Sequence, residues 1–159
     1  MELMEQDSFK KEQEKIISYI EEVLKNYLPK TPSYQKTIYD AMEYSVMAGG
    51  KRLRPMMMHQ SYIMFGGKDE KVIEPFMAAI EMIHTYSLIH DDLPALDNDD
   101  YRRGRLTTHK VYGEAMGVLS GVALLNYAYE VMLTAFDKAD TQESQAYVIQ
   151  ALKVMSHKT

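Results

Sequence analysis

Five aspartates fall within ten residues of this chain, in Asp91-Asp92-Leu-Pro-Ala-Leu-Asp97-Asn-Asp99-Asp100. Mutual repulsion makes that density costly in a folded domain unless cations or solvent relieve it. Hard carboxylate oxygens suit Mg2+, which keeps several waters and shares its carboxylates with substrate phosphates. An acidic run taken alone reads as a solvated loop, but its surroundings add a second chemistry. Arg102-Arg103-Gly-Arg105 follows it directly, and Lys51-Arg52-Leu-Arg54 follows Gly49-Gly50 at another helix start. Carboxylates to hold cations, with guanidinium and ammonium donors for the remaining phosphate oxygens, make a site for metal plus polyphosphate.

Two common phosphate and metal motifs do not fit. A Walker A loop ending at Lys51 needs Gly at 45 and Ser or Thr at 52, where this chain has Ser45 and Arg52. An EF-hand starting at Asp97 places Tyr101 and Arg102 where an oxygen ligand and the Gly belong. Helical spacing brings in two further residues. His84, Leu88 and Asp91 share a stripe at i, i+4 and i+7, although a lone histidine there is more often structural. Tyr86, five residues before Asp91, sits about 7.5 Å down the helix, where by spacing alone it reads as core.

The elements that must position these groups are helical. Phe9, Ile16, Ile17, Ile20, Val23, Leu24 and Tyr27 recur at helical spacing, with Lys and Glu between them. Pro29 and Pro32 end that helix, and Thr31 or Ser33 can cap the next, which runs to about Met47 before Gly49-Gly50. A third helix starts near Arg54-Pro55 and stops at Gly66-Gly67; a fourth spans about Glu70 to His90, with Pro75 near its start or kinking it. A short helix at Thr108–Met116, a longer one at Val118–Phe136 and a last one from about Thr141 complete the pattern. No stretch alternates with period two, and no Asn-Gly or Asp-Gly turn separates strand-like runs, so the expected fold is all-α.

Composition excludes several classes. The chain has 159 residues, 46% of them hydrophobic, enough for one domain with a real core rather than a disordered segment. It has no Cys, which removes disulfides, Cys-ligated zinc, iron–sulfur clusters and a thiol nucleophile. A net charge of −5 argues against nucleic-acid binding. The apolar run Gly117–Phe136 has the length of a membrane span, but it contains Asn126, Glu130 and two tyrosines and lacks basic anchors. It therefore reads as a central buried helix, and the acidic N-terminus as neither signal nor transit peptide, so a cytoplasmic protein without a membrane span is expected.

Three segments carry a family resemblance over most of the chain from about Ser33: residues 41–55 (AMEYSVMAGGKRLRP), 81–97 (EMIHTYSLIHDDLPALD) and 98–104 (NDDYRRG). Together they are similar to the trans-prenyl (polyprenyl) diphosphate synthases, and among them to the bacterial farnesyl type. The resemblance implies an isoprenoid synthase-type helical bundle around a deep cavity, homodimeric when complete. It implies that Asp91 and Asp97 coordinate Mg2+ bridging the allylic diphosphate, with Asp92 in support, and that Arg102 holds that diphosphate. Lys51, Arg54, His84 and Arg103 would hold the diphosphate of isopentenyl diphosphate. The implied reaction condenses isopentenyl diphosphate with dimethylallyl or geranyl diphosphate to farnesyl diphosphate. Tyr86, with the inserted Pro94-Ala95, resembles the pattern that limits product to C15.

The sequence departs from the family pattern in three places. Family members are nearly twice this long, and no second aspartate-rich motif occurs between Tyr101 and Thr159. Val122 stands where most bacterial members have Asp, which puts a polar contact in doubt; Leu106 replaces a usual Pro, which puts local loop geometry in doubt. The chain thus reads as the N-terminal part of one synthase domain, with little or no synthase activity expected of it alone. A non-catalytic partner subunit or a truncated remnant is the first alternative. An HD-type metal phosphohydrolase using His59, His90-Asp91 and Asp137 is the second, and it leaves the arginine pairs without a role.

Overall fold

The periodic apolar residues do form helices. The computed structural model describes residues 2–30 and 34–159, with side chains from residue 10 onward. Its elements are α1 (Glu2–Tyr27), α2 (Lys36–Val46), α3 (Leu53–Met64), α4 (Glu70–Asp91), β1 (Tyr101–Arg102), β2 (Arg105–Leu106), α5 (Thr108–Tyr112), α6 (Glu114–Lys138) and α7 (Gln142–Lys158). The side chain of Phe9, Pro32 and the cap expected at Thr31 or Ser33 lie outside the described residues. The fold is all-α.

Local chemistry accounts for several boundaries. Asp69 caps α4 by accepting a hydrogen bond from the Lys71 amide, 3.0 Å away, and α4 runs through a buried Pro75. Thr141 and Ser144 form a reciprocal capping box at the start of α7. At the end of α3, Gly67 N–H donates to Tyr62 O and Gly66 N–H to Ile63 O, the paired bonds that close a helix C-terminus.

Two expectations need correction. The helix break falls at Gly113 (φ 88°), not between Met116 and Val118, so α5 ends at Tyr112 and α6 begins at Glu114. Gly117 is instead buried inside α6, where a Cβ would come within 3.0 Å of Leu93 Cδ2. The loop after α4 also contains a two-residue hairpin, Tyr101 pairing with Leu106 and Arg102 with Arg105. Its turn is Arg103-Gly104, both at positive φ (54° and 76°), as a tight two-residue hairpin loop requires.

α4 and α6 pack together as the centre of the bundle, with α1 and α3 against α4 and α2 and α5 against α6. Both central helices are long and apolar enough to cross a membrane by length and composition alone. The core joins Ile20, Val23 and Leu24 of α1, Met42 and Val46 of α2, Met77, Met82 and Ile89 of α4, and Leu124, Val131 and Met132 of α6. In α7 only Val148 is fully buried among the described residues, and Tyr147 is exposed.

The largest fully buried side chain is not apolar. Arg52 is 2% exposed, and it donates through Nε to Glu21 (2.7 Å), through Nη1 to Glu81 (2.8 Å) and through Nη2 to the Val46 carbonyl (2.8 Å). One guanidinium thus ties α1, α4 and the end of α2 to the start of α3. Its backbone sits in the left-handed region (φ 49°), a conformation the surrounding bonds hold in place. Glu81 is equally buried, so it has little access to water if its partner is lost. Arg52→Ala should therefore cost about 3–5 kcal/mol in denaturant unfolding, since it strands a buried charge. Lysine at this position should not restore the loss, because a point charge cannot make the three-way fork. A cost below about 1 kcal/mol would show that the network is dispensable.

Candidate functional site

The acidic and basic clusters meet at one end of the bundle, where α4 ends, α3 begins and the hairpin folds back. Asp91 is the last residue of α4, and the chain then turns tightly: the Asp97 amide donates to the Asp91 carbonyl at 2.9 Å, and the Asn98 amide to Leu93 O at 3.1 Å. Asn98 takes a positive φ (53°), which asparagine tolerates well. The turn holds Asp91 and Asp97 together through the backbone rather than through their side chains.

The five carboxylates have unequal roles. Asp92 is 3% exposed and bonded to Arg102, from Nε at 2.6 Å and from Nη2 at 2.5 Å. Asp99 meets the same Nη2 at 3.4 Å, and Asp100 pairs with Lys110 at 2.9 Å. Three aspartates are thus matched with cations, while Asp91 and Asp97 are exposed and have no side-chain partner among the described residues. Its hydrogen bond to Asp92, and the charges of Asp92, Asp99 and Asp91, hold the Arg102 guanidinium above its usual value despite partial burial.

On the basic side, Arg103 reaches across from the hairpin turn to the Gly49 carbonyl. Gly50 holds a positive φ (135°) that favours glycine, and a Cβ there would lie 2.8 Å from the Arg103 guanidinium carbon. Burial, then the nearby charge of Arg52, pulls Arg103 below its ordinary value. Lys51 and Arg54 flank Arg52 and are exposed. His84, half-buried on α4, is held below its ordinary value by burial first and then by Arg54, Arg103 and Arg102, with Glu81 opposing. Four cationic or titratable groups from three elements therefore share one field, as the sequence clusters suggested.

Three residues that secure the site were not singled out by sequence. Arg52 belongs by type to the basic cluster but faces inward. Tyr44 donates to Leu106 O at 2.8 Å and lies under the Arg105 guanidinium, 4.2 Å from ring centroid to Cζ. Thr107 donates to Asp99 O at 2.9 Å and closes the loop. Only Arg52 had a sequence signal, the acidic Glu81 that shares a helical face of α4 with Ala78, Met82 and Thr85. Leu106, the departure from Pro, is exposed and its carbonyl is the one Tyr44 holds; Val122 is exposed on α6.

The donor set suits Mg2+. Among the described residues no three His, Asp or Glu side chains converge into a metal cage. Two open carboxylates with the rest of the coordination left to water or phosphate is how Mg2+ is commonly bound, whereas Ca2+ demands more protein oxygens.

The sequence profile described as polyprenyl synthetase matches residues 35–159. The chain belongs to that family. It is 50% identical over 119 residues to a farnesyl diphosphate synthase of Geobacillus stearothermophilus, covering 75% of this chain and 39% of that protein. It is 49% identical over 116 residues to a geranylgeranyl diphosphate synthase of Cyanophora paradoxa, covering 72% and 37%. Among solved structures, an apo FPP/GFPP synthase from Zymomonas mobilis superposes with TM-score 0.81 at 33% identity, over 94% of this chain and 52% of that one. A geranyltransferase from Legionella pneumophila superposes with TM-score 0.76 at 33% identity, over 91% and 50%. The chain spans under two fifths of these curated relatives and about half of these structures.

Two outcomes follow from the geometry. Asp92→Ala should lower unfolding stability by about 3 kcal/mol, because it strips a mostly buried pair from Arg102, whereas Asp91→Asn should leave stability unchanged. Equal costs for the two would refute the division of the cluster. The lowered His84 value means that the unfolded chain takes up the proton first on acidification. Its contribution to stability is present above about pH 6.5 and is lost as pH falls from there through the folded value. His84→Gln should flatten the stability profile as pH falls below about 6.5, and an unchanged profile would contradict this.

Proposed function

We propose that this chain carries the allylic-diphosphate side of a prenyltransferase site, in a protein that condenses isopentenyl diphosphate with dimethylallyl or geranyl diphosphate. The observation that supports this most is the sorting of the acidic run: the two carboxylates left open, Asp91 and Asp97, are those the family resemblance assigns to Mg2+. Mg2+ held there would neutralise charge on the departing diphosphate. Arg102 has Nε and Nη2 turned to Asp92 and Asp99, which leaves Nη1 for an allylic diphosphate oxygen. Lys51, Arg54, Arg103 and His84 would take the diphosphate of isopentenyl diphosphate, each donating N–H bonds to its oxygens.

In this reading the allylic C–O bond breaks and pyrophosphate leaves. The double bond of isopentenyl diphosphate attacks the allylic carbon through its terminal carbon, which places the positive charge on the adjacent tertiary carbon, and a proton lost from the CH2 on the far side of that carbon forms the new double bond. The cationic residues serve by stabilising the negative charge that builds on the leaving group. Tyr86 packs half-buried against the core on the helix that ends at Asp91, a position from which its ring would limit a growing chain to C15. Relatives named for farnesyl and for geranylgeranyl products are similarly identical to this chain, so the C15 product rests on Tyr86. The proposal includes homodimeric assembly of the whole protein.

Calorimetric titration of the chain with geranyl diphosphate tests the reading without requiring turnover. Binding should need Mg2+ and should weaken about 10- to 100-fold in Asp91→Asn and Asp97→Asn, the usual worth of a charge-assisted contact. Binding that is indifferent to Mg2+ and to both substitutions would overturn it.

A further inference from the structure

His90 precedes the metal-facing Asp91, yet its ring turns away from the open carboxylates and toward α6. Its Nε2 lies 3.2 Å from the Val118 carbonyl, which places the ring proton on that nitrogen. Four residues earlier, and so on the same helical face, the Tyr86 ring meets the imidazole edge-to-face, with centroids 5.1 Å apart and planes at 79°. The slot that receives the imidazole exists because residue 121 is glycine. A Cβ there would overlap Nε2 and Cδ2 of His90 and approach Cε1 to 3.1 Å. One turn earlier, Gly117 lets α6 close on Leu93, so two glycines bring this stretch of α6 against the end of α4.

We propose that His90, seated in the Gly121 slot and bonded to Val118, is the positioning residue that fixes the ring of Tyr86 and so sets the depth available to a prenyl chain. The Val118 carbonyl orients the imidazole, and the imidazole removes the alternative rotamers open to the phenol. Specificity for chain length is then a property of the α4–α6 contact and not of Tyr86 alone. The inference rests on the reading of Tyr86 as the floor of the prenyl cavity.

The test compares Mg2+-dependent binding of geranyl (C10) and geranylgeranyl (C20) diphosphate by the chain. The unaltered chain should prefer C10, and Tyr86→Ala should remove the preference. His90→Ala and Gly121→Ala should each reduce it about 2- to 12-fold, the worth of an aromatic pair, with C10 affinity unchanged. In the Tyr86→Ala background, His90→Ala should have no further effect, which a merely structural role would not produce. If Tyr86→Ala alters the preference and His90→Ala does not, the positioning role is overturned while the floor stands; if neither does, the floor itself falls. A second measurement needs no ligand. In chain labelled with 3-fluorotyrosine, the 19F resonance assigned by Tyr86→Phe should move in His90→Ala and in Gly121→Ala. An unmoved resonance in a folded His90→Ala protein overturns the proposal directly.

Discussion

The bundle and its site both depend on one buried guanidinium. Arg52 takes its three partners from the end of α2, from α1 and from α4, so the entry to α3 is held at a single junction. Burial of an ion is costly and is offset here only because every side of the fork is matched. The consequence reaches the surface: Lys51 and Arg54, on either side of Arg52, are exposed at a defined place. The charge of Arg52 also lies close enough to depress Arg103, which joins the hairpin to the same field.

On the acidic side a similar economy applies. Packing five aspartates together is tolerable because Arg102 and Lys110 neutralise three of them, leaving two open to solvent. Arg102 therefore has two duties, as counter-ion within the loop and as a donor with one nitrogen to spare. The hairpin at Tyr101–Leu106 is too short to add stability as a sheet, but it sets the direction of these arginines. Tyr44 and Thr107 hold it from outside and inside through backbone carbonyls.

The end of α4 is constrained a third time by α6. Gly117 and Gly121 let backbone approach Leu93 and His90, and the tight turn from Asp91 to Asn98 starts from that contact. Close helix packing is thus the means by which a loop carrying like charges keeps one shape.

The helices, the all-α class and the two charge clusters were legible in the sequence because each has a local cause: apolar period, capping residues, or charge density along the chain. Thr141 before α7 and Gly66-Gly67 after α3 are examples, and so is the family itself, which is carried by short contiguous motifs. The hairpin was missed since two-residue strands have no period to read, and the α5–α6 break was misplaced because Gly113 and Gly117 look alike until one adopts positive φ and the other is packed. Which charges face each other was beyond the sequence altogether. Asp91 and Asp92 are adjacent and identical, as Lys51, Arg52 and Arg54 are nearly so, yet one member of each group is buried and the others are open. Burial and pairing depend on how the hairpin folds back on α4 and on how α1 and α4 close on Arg52, and so only the tertiary structure could decide them.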